Sequence, residues 1–161
     1  MVDIDRESFA EIMDLSRKAL GPGLAAPERE RWRALTSQVL ELLSNISPSG
    51  SERRRYLRAA AGLTVEVLAP AKIGGLVTSS VSGGGLSMQM ADPPDVGTAL
   101  TLSIVVSQRP QPIPASASVV WRRPPPSGEV GAVFTEIDER DRDLLEATVI
   151  ERLSATNFAG Y

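Results

Sequence analysis

With 161 residues, 42% of them apolar and 23% charged, the chain has material for one packed domain and an accessory element, and its composition is that of a globular protein rather than a fibrous or disordered one. It contains neither cysteine nor histidine, which excludes a disulfide framework, thiolate nucleophiles, imidazole bases and His/Cys metal sites. The net charge of −3 is uneven: six basic and eight acidic side chains in residues 1–50, four and one in 51–58, and seven and eleven in 59–161. Positive charge is therefore concentrated only at Arg53, Arg54, Arg55 and Arg58, too narrow a stretch for a nucleic-acid face or a polybasic membrane patch.

The first periodic stretch is residues 5–20, where Phe9, Ile12, Met13, Ser16 and Leu20 recur at helical spacing and Gly21-Pro22-Gly23 stops the helix. A second helix is expected from Pro27 to about Ser44, with Trp32, Leu35, Val39, Leu42 and Ile46 forming one apolar seam. Such a hairpin packs on itself or on the next domain, or it offers a surface for a homo-oligomer. Two heptads are too few for a coiled coil, which favours the first. Ser47-Pro48-Ser49-Gly50-Ser51 reads as a linker, dividing an N-terminal helical region, 1–50, from a second module, 51–161.

Beyond the linker the period changes to two. Leu63, Val65 and Val67 alternate with Thr64 and Glu66. Leu100, Leu102, Ile104 and Val106 do the same, as do Ala115, Ala117, Val119 and Trp121. Proline- and glycine-rich turns separate six expected strands at 61–70, 73–82, 85–91, 98–107, 112–123 and 128–137. The expected fold class is α+β: a six-stranded antiparallel β-barrel with an N-terminal helical hairpin and a C-terminal helix. Asp138 caps that last helix, Leu145, Val149, Ile150 and Leu153 give it an apolar face, and it is expected to lie across the barrel. The carboxylates between 136 and 146 read as its solvated face. Trp121 is expected to pack at the barrel rim, and Phe134 to be core. No apolar run approaches a membrane span and the start of the chain does not resemble a signal peptide, so the protein is expected to be cytoplasmic.

Catalysis has little to work with. The only lysines are Lys18 and Lys72, neither in a recognisable nucleophile setting, and Gly83-Gly84-Gly85 lacks the Lys-Ser/Thr of a triphosphate loop. The expected protein is not an enzyme and carries no cofactor or metal. Instead, the arginine run and Ser80-Val81-Ser82-Gly83-Gly84-Gly85 together suit a small, planar, doubly anionic ligand. Guanidinium forks pair with phosphates or a guanine edge and stack on bases, while glycines admit close approach to exposed amides.

These two stretches resemble the signature motifs of the PilZ domain family, bacterial receptors for cyclic di-GMP. The Arg-x-x-x-Arg motif before the first barrel strand matches Arg54-Arg55-Tyr56-Leu57-Arg58, preceded by Arg53. The Asp/Asn-x-Ser-x-x-Gly motif matches residues 80–85, with Ser82 and Gly85 in place and Ser80 where the family has Asp or Asn. Leu86, Val119-Val120-Trp121 and Gly131-Ala132-Val133-Phe134 resemble later strands of the family, and the similarity covers about residues 52–155.

The resemblance implies that Arg54 and Arg58 stack on guanine and grip phosphates, with Arg53 beside them, while Ser80, Ser82, Gly83, Gly84 and Gly85 hold the ligand from the barrel surface. A serine at position 80 offers fewer acceptors than a carboxylate or amide, so binding is expected to be weaker than in the family but not abolished. Because the arginines lie between the two modules, ligand is expected to clamp the connector and reorient the N-terminal helices toward an effector protein, in motility or exopolysaccharide control. Two other readings stay open. One is an adaptor of this fold that no longer binds cyclic di-GMP. The other is a single-stranded nucleic-acid barrel, which the 4% aromatic content and the acidic barrel argue against.

Overall fold

The structure is a computed structural model that describes residues 5–46, 57–107 and 109–157. Its elements, in order, are α1 (Arg6–Leu20), α2 (Ala26–Ile46), β1 (Arg58–Ala59), β2 (Thr64–Ala69), β3 (Ile73–Ser82), β4 (Gly85–Gln89), β5 (Ala99–Ile104), β6 (Ile113–Arg122), β7 (Glu129–Ile137) and α3 (Glu139–Asn157).

Local chemistry explains the helix ends. The Asp5 carboxylate accepts from the Ser8 amide at 2.8 Å, capping α1, and the Gly21 amide closes its other end on the Arg17 and Lys18 carbonyls. At the start of α2, Glu28 reaches back to the Ala25 amide at 3.0 Å, half of a capping box. Asp138 accepts from the Arg140 amide at 2.9 Å at the start of α3.

The seven strands form one antiparallel sheet in the order β1-β3-β2-β5-β6-β7-β4, and β4 returns to β3. That last pairing closes β2 to β7 into the expected six-stranded barrel; β1 is a two-residue arm on β3. Each of the six expected strands is present within three residues of its expected bounds. The period-two pattern places Val65, Val67, Leu102, Ile104, Ala117 and Val119 in the interior, each at most 1% exposed. Their neighbours Thr64 and Thr101 face out. Inside the barrel mouth, the buried Thr78 hydroxyl accepts from the Leu63 amide at 2.8 Å and donates to the Ala61 carbonyl.

Trp32, Leu35 and Val39 of α2 are buried with Ile12 and Ala19 of α1. The Trp32 indole N–H donates to Ser16 Oγ at 3.1 Å, and that hydroxyl donates to the Ile12 carbonyl, so these buried polar groups are satisfied. The hairpin packs on itself and, through α1, on α3, which also touches β1 and β3. The expected boundary near residue 50 lies outside the described residues.

Two expectations about side chains meet the structure differently. The carboxylates between 136 and 146 are only partly a solvated face: Glu136, Asp138 and Glu139 are exposed, but Asp141, Asp143 and Glu146 are 6%, 2% and 4% exposed. The helix is walled by the barrel on one side and by the hairpin on the other, so these groups are shut off from water. The charges are met by Arg29 and Arg33 of α2 and by Arg109, whose guanidinium is 2.8 Å from Asp141. Phe134 is half-buried against the core rather than within it. Trp121 is half-buried across Gly131, with the Arg123 guanidinium 5.6 Å from the ring centre. Among the described residues no helix is long and apolar enough to cross a membrane.

Candidate functional site

The site is built on the hairpin joining β3 to β4. Ser82 and Gly85 pair across it, and Ser82 also stands opposite Arg58 of β1. Directly opposed residues in an antiparallel pair send their side chains to the same side, with Cβ atoms about 5 Å apart. Arg58 and Ser82 therefore share the outer face of the barrel, and Ser80, two residues along, joins them. Val81 between them is fully buried and points inward.

The turn is tied by its own serine. Ser82 Oγ accepts from the amides of both Gly84 and Gly85 at 3.1 Å and donates to the Gly85 carbonyl at 3.3 Å. This hydroxyl and these two amides shape the corner by bonding to one another. A Ser82→Ala variant is expected to lose about 1–3 kcal/mol of stability and to show faster amide exchange at Gly84 and Gly85, read by urea unfolding and hydrogen exchange. Glycine at 85 has a packing reason: a Cβ there would stand 2.2 Å from the Ala132 carbonyl oxygen, a backbone atom that cannot yield. Ser80 Oγ lies 2.6 Å from Ser87 Oγ, so its hydroxyl pairs across to β4.

Helix α3 forms the far wall. Arg142 Nε donates to the Gly83 carbonyl at 3.1 Å, and Glu146 packs against Gly83. Burial pushes the Glu146 carboxyl up to about 7, although Arg33 donates to it at 3.1 Å. Burial likewise raises Asp143, against the pull of Arg29 at 2.7 Å and Arg33 at 3.2 Å. The corner thus combines cationic forks from two elements with a carboxyl group that changes charge near neutrality.

Arg58, Ser80, Ser82, Gly83, Gly84 and Gly85 are thus brought together. Arg53, Arg54 and Tyr56 lie outside the described residues. Arg142, Glu146 and Arg33 were not singled out from the sequence. The available signal was complementary spacing: Arg29 and Arg33 four apart on one helix, Glu139 and Asp143 four apart on another, with Glu146 three further on.

The closed antiparallel barrel with an arginine arm laid beside a Ser-x-x-Gly hairpin is the arrangement to be compared with known domains. The PilZ domain model matches residues 52–151, and the chain belongs to the PilZ domain family. In solved structures it is similar to the Bacillus subtilis inhibitor of motility, MotI/DgrA, at 24% identity and a TM-score of 0.57, over 65% of this chain and 53% of that one. It is also similar to the PilZ domain of YcgR from Escherichia coli, solved with c-di-GMP, at 12% identity and a TM-score of 0.51, over 67% of this chain and 97% of that one. The chain thus matches about half the length of the motility inhibitor. No curated protein sequence matches it.

Proposed function

We propose that the protein is a cytoplasmic, non-enzymatic receptor for cyclic di-GMP that converts ligand binding into a rearrangement of its N-terminal helices and so into contact with an effector protein. The observation that carries this reading is the register of β1 on β3. It sets Arg58, the last arginine of the motif, directly opposite Ser82 on the hairpin. Arg53 and Arg54 precede it in the sequence, and Ser80, Gly83, Gly84 and Gly85 complete the corner. Membership of the PilZ family supports the ligand class, and the YcgR domain carries c-di-GMP on the same fold. The guanidinium groups would take the phosphates and a guanine face, with the hairpin as the floor. The likeness to a motility inhibitor is consistent with an output in motility control. The linker near residue 50 would divide a helical output region, 1–50, from the receiving barrel, 51–161.

A nucleotide panel tests this. Cyclic di-GMP is expected to bind saturably in calorimetry, whereas GTP and single-stranded oligonucleotides are not. Saturable binding by GTP at the same level would contradict the assignment. The neutral hydroxyl at position 80 gives a second handle. Ser80→Asn restores an amide with both donors and acceptors, and is expected to tighten cyclic di-GMP binding by roughly tenfold. An unchanged affinity would remove Ser80 from the site.

A further inference from the structure

The 82–85 corner is fastened to helix α3 by two side chains one turn apart. Arg142 Nε holds the Gly83 carbonyl at 3.1 Å. Glu146 sits so close that a Cβ on Gly83 would stand 2.5 Å from its Cγ. On its other side the same helix is bonded to α2. Arg33 spans three carboxylates, Glu146 at 3.1 Å, Glu139 at 2.6 Å and Asp143 at 3.2 Å, and Arg29 holds Asp143 at 2.7 Å. Glu146 thus touches both the hairpin and an arginine of α2.

We infer that α3 is a latch between the ligand corner and helix α2, with Arg142 and Glu146 as positioning residues and Arg33 as the link to the N-terminal hairpin. The inference deepens the receptor reading and rests on it only for what releases the latch. A doubly anionic ligand on the corner repels the Glu146 carboxylate and competes with it, and with the Gly83 carbonyl, for guanidinium donors. Either effect loosens α3 from the turn and weakens the hold of Arg33 on Glu146. This route runs through a packed helix and is separate from any ordering of the 47–56 connector. Coupling of this kind is reciprocal: weakening the α2–α3 ion pairs must change ligand affinity by the same factor that ligand changes those pairs.

The test uses the full chain and has two arms. In the first no ligand is added, and hydrogen exchange is compared between wild type and Arg33→Met. The latch predicts at least about threefold faster exchange at Gly84 and Gly85, in a segment the substitution does not alter. Acceleration confined to α2 and α3 overturns it. If Arg33→Met does not fold, Arg33→Lys keeps the charge without the fork and is expected to give a smaller acceleration at the same two amides.

In the second arm cyclic di-GMP is the probe. Glu146→Gln is expected to bind it roughly three- to tenfold more tightly, and ligand is expected to speed exchange across residues 29–36 of the wild type. A wild type that binds with no change at 29–36, and a Gln variant of unchanged affinity, overturn the latch. A wild type that does not bind overturns the receptor reading instead, and the ligand-free arm then decides the latch alone.

Discussion

In a calorimetric titration with cyclic di-GMP, the Arg58→Ala chain is expected to bind at least about a hundredfold more weakly than the wild type. Hydrogen bonds from a charged fork to phosphate contribute about 1.5–3 kcal/mol each set, and stacking of the guanidinium on a base adds to this, so a loss near 3 kcal/mol is the expected scale. Arg58 stands opposite Ser82, held there by its own strand pairing. Arg58→Lys separates charge from geometry: it retains the cation but not the planar fork, and is expected to fall between the two, about tenfold down. Melting curves of all three chains serve as the control for folding. Affinity that survives in Arg58→Ala would move the site away from this hairpin.

The second large effect concerns stability and pH. Glu146 is buried, and burial outweighs its pairing with Arg33, so its carboxyl titrates near 7 rather than at the open-chain 4.5. The folded chain therefore holds a proton more tightly than the unfolded one, and between about pH 4.5 and 7 the fold gains stability as pH falls. The displacement corresponds to at most about 3 kcal/mol. Asp143, also raised by burial, acts in the same direction. The lowered carboxyls of Asp5, Glu11 and Glu28 act oppositely, but only as pH falls through their own more acidic range.

Glu146→Gln keeps the shape and an acceptor for Arg33 while removing the charge. It is expected to be about 1–3 kcal/mol more stable than wild type at pH 8 and to flatten the slope between pH 5 and 7, as read from urea midpoints. Parallel curves for the two chains would show that Glu146 stays ionised throughout.

The barrel was legible because a half-buried strand writes its geometry directly into the sequence. Leu100, Leu102, Ile104 and Val106 are all interior, and Val105 between them is exposed, as period two requires. Turn residues such as Pro124, Pro125, Pro126 and Gly128 marked the boundaries. The hairpin was legible for another reason: the family motif it resembles sets particular residue types at fixed spacing, here Ser82 and Gly85.

The environment of α3 was not legible. Whether Asp143 and Glu146 meet water depends on what packs against the helix, and their partners Arg29 and Arg33 lie more than a hundred residues away. Charge on a helix read alone says only that it can be solvated. The alternation gave Phe134 the inward parity of Ala132, opposite buried Ala117, but not its depth: it is half-buried against the core, which depends on the packing around it. The role of Ser82 was half legible: the motif identified the position, while its bonds to the Gly84 and Gly85 amides emerge only from the folded turn.

The most direct measurement is a titration of the intact 161-residue chain with cyclic di-GMP, monitored by heat and by hydrogen exchange together. Saturable heat is expected, with protection appearing at residues 53–58 and 80–86. A folded chain that gives no saturable heat, or that gains its protection elsewhere on the barrel, would contradict a receptor site at this hairpin.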